Sequence, residues 1–187
     1  MGDEMEPIIS SAVITLAAIQ ILKPVANKIG LLDLPNHRKH HQGAIPLIGG
    51  VSIFIGVALS CMLLVALTYQ QEYLLFGALA IVILGVLDDL YDISVRLRLF
   101  VQAICTIYLC YTLGISLSYM GNMFGVSELD IGLLGVIVTV FAVIGGINAY
   151  NMMDGIDGLA GSMALVSLLA LAVLFSRTGA YEYVQWA

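Results

Sequence analysis

Charge is what this sequence has least of. Asp, Glu, Lys and Arg make up 11% of its 187 residues, against about a quarter in an ordinary soluble domain. With 60% hydrophobic residues and a mean hydropathy of +1.01, a water-solvated globule is excluded and a chain embedded in a membrane is expected. Cysteine is also scarce. Cys61, Cys105 and Cys110 are odd in number, sit in apolar runs and show no CxxC spacing, so they are expected to be buried small hydrophobes. The opening "MGDEMEPIIS" lacks the basic stretch of a signal peptide, so the first apolar segment is expected to stay as an anchor. Glu6 stands where a myristoylation signal needs Ser or Thr. Low-complexity tracts, clear repeats and soluble domains are missing too, which leaves one transmembrane domain over residues 1–187. No nucleic-acid partner is expected.

What is present is a series of apolar runs. A bilayer core takes about 20 apolar residues per helix, and six spans fit: roughly 7–22, 45–67, 73–87, 99–119, 131–147 and 159–176. The fold class expected is therefore all-α, a polytopic membrane helix bundle of about six transmembrane helices. Basic residues set its orientation. Lys23, Lys28, Arg38 and Lys39 lie in the first loop and Arg96 and Arg98 in the third; Arg177, after the last span, is the single exception. The second loop, "TYQQEY", and the fourth, "MGNMFGVSELD", contain no Lys or Arg. The N-terminus is then outside, and loops one, three and five face the cytoplasm. The polar clusters "DLPNHRKHHQG", "DDLYDISVRLR" and "NAYNMMDGIDG" occupy those same three loops. One face of the membrane thus receives all of them.

In "GVLDDLYDISVRLR", Asp88 and Asp92 share a helical face with Asp89 beside them. Carboxylates at the C-terminal end of a span oppose the helix dipole, and like charges four apart repel. A bound cation, a proton, or Arg96 and Arg98 must relieve them. The first of these makes the cluster a cation site, the second a general base and the last an ordinary solvated loop.

In "NAYNMMDGIDGL", Asn148, Asn151, Asp154 and Asp157 recur every three residues. On a regular helix they would fan over about half the circumference, but Gly155 and Gly158 make a strict helix less favourable past Asp154. Their oxygens are hard ligands suited to Mg²⁺, which keeps waters and bridges to phosphates. EF-hand spacing, a Walker A loop and GxGxxG are all missing; two capped helices with glycine turns are the plainer alternative. The first loop joins Asn36, His37, Arg38, Lys39, His40 and His41 to "GAIPLIGG". Two cations among the histidines, with no Cys or acid nearer than Asp33, argue against zinc and for either a basic loop or an anion site. Pro46, Gly49 and Gly50 allow a sharp re-entry into the second span. Acids for a metal, bases for phosphates and lipid-facing walls together describe phosphoryl transfer at a membrane surface.

These blocks, in this order, resemble those of the polyprenyl-phosphate N-acetylhexosamine-1-phosphate transferases, and "DLPNHRKHHQGAIPLIGG" is closest to their UDP-N-acetylglucosamine branch. The resemblance implies a multi-pass enzyme of the bacterial inner membrane. It would transfer N-acetylglucosamine 1-phosphate from UDP-N-acetylglucosamine to undecaprenyl phosphate, release UMP and start surface polysaccharide synthesis. It further implies Asp88 and Asp89 near the lipid phosphate as catalytic carboxylates, joined by Asp157 at the nucleotide-sugar site. Asp154 falls at a metal-ligand position for Mg²⁺, with Mn²⁺ also admitted. Asn36, Arg38, Lys39, His40, Asn148 and Asn151 are the implied substrate-binding residues. Direct attack and a covalent aspartyl intermediate both stay open, as does a homodimer. Family members run to roughly twice this length, so an N-terminal half is expected, and an inactive fragment or assembly partner is the alternative.

Two other classes fit less well. A CDP-alcohol phosphatidyltransferase needs Ala-Arg four residues after its first Asp and two further acids, whereas Asp157 is followed by "GLAGSMALVSLL". An ion-coupled transporter places its acids near mid-span; here they stand at span ends. Gly145 and Gly146 permit close helix contacts without specifying them.

Overall fold

A computed structural model of the chain describes residues 2–33, 43–119, 130–153 and 158–178. Its elements run α1 (Gly2–Ile29), β1 (Leu32–Asp33), β2 (Ile45–Pro46), α2 (Gly49–Leu64), α3 (Tyr69–Tyr91), α4 (Val95–Leu113), α5 (Leu134–Met153) and α6 (Leu159–Thr178). Among the described residues, five of the six helices are long and apolar enough to cross a membrane; α2, with 16 residues, is the shorter one. The protein is an all-α, multi-pass membrane protein. It divides into two compact units, Met1–Ile115 and Ser116–Ala187.

Several boundaries differ from the sequence expectation. Helix α1 does not stop before Lys23 but continues through Pro24 to Ile29. Pro24 leaves one carbonyl of the preceding turn without its usual donor, and Lys28 in the last turn suits the dipole there. Helix α3 absorbs most of "TYQQEY", because Thr68 and Gln71 form a capping box in which the Thr68 N–H donates to Gln71 Oε1 at 2.8 Å. The second span begins at Gly49 rather than residue 45. Before it, β1 and β2 pair antiparallel, Leu32 opposite Pro46 and Asp33 opposite Ile45.

The interior of the first unit reverses the soluble pattern. Ser52, Ser60, Gln102 and Thr106 are buried, while Leu63, Phe76 and Phe100 face outward. In lipid, outward apolar side chains cost nothing, and helices associate through small and polar residues instead. On α2 the inward stripe is Ser52, Gly56 and Ser60. A Cβ on Gly56 would run into Thr15 Oγ1 and lie 2.6 Å from the Ser11 carbonyl oxygen, so glycine is what lets α1 and α2 touch. Beside it, Ser60 Oγ donates to the Pro7 carbonyl at 2.6 Å and bonds the Ser10 hydroxyl. Cys61 and Cys110 are buried, Cys105 is half-buried, and all three are free thiols.

At the other end of that hairpin, Ala26, Leu31 and Ile48 form a small apolar core against which Val86 and Leu90 of α3 pack. Gly30, at φ +79°, turns the chain out of α1. Helices α3 and α4 meet where Gly77 admits Leu109, whose Cδ1 would stand 2.7 Å from an added Cβ. The rings of Tyr73 and Tyr108 pack edge-on there.

In the second unit, Tyr119 and Asp130 form an isolated bridge, and Ile131 N–H donates to the Ser118 carbonyl at 2.9 Å. Leu117 N–H donates to Thr139 Oγ1 at 2.8 Å, which ties this segment to the first turns of α5. Gly145 and Gly146 have open space around them among the described residues; the close approach in this unit is at Gly135, against Ser118.

Candidate functional site

The third loop is a turn of three residues, Asp92 to Ser94, between α3 and α4. Asp92 takes the left-handed conformation at φ 48°, which Asp tolerates better than most residues. Its N–H closes α3 on the Asp88 carbonyl at 2.8 Å. Ser94 starts α4 by accepting the Leu97 N–H. This compact reversal puts Asp88 and Asp89 in the last turn of α3 and Arg96 and Arg98 in the first turn of α4.

Arg98 Nη1 donates to Asp88 Oδ2 at 2.7 Å, with both side chains about one-fifth exposed. Of the three ways to relieve the acids, the structure uses an arginine for Asp88. Asp89 and Asp92 are exposed on the same end of the helix, as is Arg96.

The apolar contacts of α3 connect this end to the first loop. Val86 and Leu90 flank Asp88 and Asp89 in sequence, and they pack on the Ala26, Leu31 and Ile48 core beneath the β1–β2 ribbon. The ribbon holds the two ends of the basic loop together. Loops one and three therefore share one end of the first unit, as the alternation of spans requires. Asn36, Arg38, Lys39 and His40 lie outside the described residues, as do His37 and His41. Sequence reasoning missed the ribbon because two-residue strands carry no periodic signal.

The second unit carries the other cluster. Helix α5 extends past the expected end at 147 and is described as far as Met153. Asn148 and Asn151 therefore stand on its last two turns. Asn148 Nδ2 donates to the Ile144 carbonyl at 2.8 Å, and Asn151 is exposed. Gly158, at φ +75°, leads into α6. The expected loss of regular helix past Asp154 falls outside the described residues. Asp154 and Asp157 lie outside the described residues. Among the described residues, no three His, Cys, Asp or Glu side chains are grouped as a metal site would need.

Residues 71–187 match the model of glycosyl transferase family 4. Among curated proteins, the chain is 44% identical over 168 residues to an undecaprenyl-phosphate alpha-N-acetylglucosaminyl 1-phosphate transferase of Haemophilus influenzae, covering 89% of this chain and 47% of that protein. It is 44% identical over 133 residues to the protein of the same name from Yersinia pestis, covering 69% and 35%. For the one from Salmonella typhi the figures are 39% over 142 residues, 74% and 38%. The chain thus spans half or less of the length of each of these relatives. No solved structure matches it.

Proposed function

The chain belongs to glycosyl transferase family 4, and from that premise we propose that it carries part or all of a site for transferring N-acetylglucosamine 1-phosphate from UDP-N-acetylglucosamine to undecaprenyl phosphate. In that reaction an oxygen of the lipid phosphate becomes bonded to the sugar-bearing phosphorus of the nucleotide sugar. The bond from that phosphorus to the UMP phosphate breaks, and its electron pair leaves on UMP. The site faces the cytoplasm of a bacterial inner membrane, with the N-terminus outside.

The observation that carries this reading is the shared end of the first unit. There Val86 and Leu90 hold the Asp88–Asp89 turn against the base of the basic loop. Carboxylates and phosphate-binding cations at one membrane face suit a reaction in which both substrates are anionic. Asp88 and Asp89 position the lipid phosphate, and Asn36, Arg38, Lys39 and His40 bind phosphate groups. Asn148, Asn151 and Asp157 orient the nucleotide sugar.

The donor set around the α5–α6 junction consists of carboxylate and amide oxygens, which fits Mg²⁺ or Mn²⁺. Asp154 would hold the ion, with Asn151 three residues before it in the sequence. Bound there, the ion would supply charge neutralisation to a pyrophosphate substrate. A homodimer is compatible with the outward apolar faces.

The test is UMP release by the purified chain from UDP-N-acetylglucosamine with undecaprenyl phosphate and Mg²⁺. Release should need lipid and metal and fall about 100-fold or more in Asp154→Asn, the scale of losing an electrostatic stabiliser. Undiminished release in Asp154→Asn would overturn its assignment as the metal ligand. No release from folded wild-type protein would mean that further polypeptide is needed for a working site.

A further inference from the structure

The Asp88–Arg98 pair runs against the preferences of both helices that carry it. Asp88 is in the last turn of α3, where the backbone is partially negative, and Arg98 is in the first turn of α4, where it is partially positive. The opposite assignment, a cation on α3 and an acid on α4, would form the same bridge across the same turn with both dipoles favourable. Stability of the hairpin therefore does not select the sense of this pair. The contact also engages one oxygen and one nitrogen, Oδ2 and Nη1. It is not the two-point fork that guanidinium and carboxylate form when they serve mainly each other. Arg98 Nε is buried and makes no hydrogen bond among the described residues, so the guanidinium is not fully spent on Asp88.

We propose that Arg98 is a positioning residue for Asp88, fixing its carboxylate through Oδ2 and supplying the countercharge that lets a phosphate approach it. This rests on the reading that the turn handles a lipid phosphate. An uncompensated Asp88 would repel a phosphate in a partly desolvated site, where charges interact strongly. With Arg98 in contact, the pair is neutral overall and the carboxylate is held in one orientation while Oδ1 is left for the substrate side.

A double-mutant cycle on the purified chain separates this from a merely structural bridge, with two readouts. The first is retention of undecaprenyl phosphate, titrated in detergent by native mass spectrometry. Arg98→Gln should weaken retention about tenfold, the scale expected when one partner of a hydrogen-bonded charge pair is removed. Adding Asp88→Asn to it should restore retention to within about threefold of wild type, because the charge that Arg98 answers has gone. The second readout is UMP release. Asp88→Asn, Arg98→Gln and the double variant should all slow kcat about 100-fold, as misplaced catalytic groups do, with the KM for UDP-N-acetylglucosamine little changed.

Failure of Asp88→Asn to restore retention, or independent multiplication of the two effects on kcat, would overturn the inference. If Arg98→Gln does not fold, Arg98→Lys keeps the charge and should retain lipid within about threefold of wild type; a tenfold loss there would equally overturn it. Wild-type protein that retains lipid without releasing UMP removes the full transfer reaction from this chain and leaves the cycle to be decided on retention. Wild-type protein that retains no lipid removes both.

Discussion

The two hairpins of the first unit are built on opposite terms. Between α1 and α2 the described contact is made by small and hydroxyl-bearing residues: Gly56 admits the backbone of α1, and serine hydroxyls bond across the helices. Between α3 and α4 the turn is only three residues long, yet it gathers three aspartates and two arginines, set against the dipoles of the helices that bear them. The first hairpin is what packing in lipid selects. The second is locally costly and relieved by a single-point ion pair. Where a structure keeps an unfavourable local choice, chemistry is the reason to look for.

The largest break in this contrast should come from Gly56→Val. A Cβ there meets the Ser11 carbonyl, which cannot rotate away, so α1 and α2 must part. We expect a loss of about 3 kcal/mol, at the upper end for overpacking, read as a drop in the thermal midpoint in detergent. Ser60→Ala should cost less. It removes the bond to the Pro7 carbonyl and the contact with Ser10, and interhelical hydrogen bonds in membranes are worth about 1 kcal/mol. If Ser60→Ala proved as damaging as Gly56→Val, hydroxyl bonding rather than close approach would be what holds the first hairpin.

How much of this was legible in the sequence depended on the kind of signal. Helix α6 was expected at 159–176 and runs Leu159–Thr178, because its apolar run is bounded sharply by glycine and arginine. Helix α1 was cut short, because Lys23 and Pro24 look like an ending although lipid-facing helices tolerate proline. The N-terminus of α3 was lost in "TYQQEY" despite a usable signal, since Thr68 followed three residues later by Gln71 is a capping box. The stripe Ser52, Gly56, Ser60 is similarly legible as small residues four apart, whereas a Cβ on Gly145 or Gly146 would meet open space among the described residues.

For the candidate site, the residue types were legible and their partners were not. The acids of the third loop could be seen to need relief, and Arg98 stood among the candidates. That Arg98 rather than Arg96 pairs with Asp88 depends on the turn geometry set by Asp92 and Ser94. The packing of Val86 and Leu90 beneath the ribbon is a long-range contact with no local trace.

The smallest change in stability and the sharpest test come from reversing the pair, Asp88→Arg with Arg98→Asp. Each charge then matches its helix dipole, so the thermal midpoint should hold or rise, by up to about 1 kcal/mol in stability. UMP release should nevertheless fall about 100-fold, because the carboxylate is no longer at position 88. A reversed pair that releases UMP as fast as wild type does would contradict the claim that chemistry, rather than folding, fixed the sense of these charges.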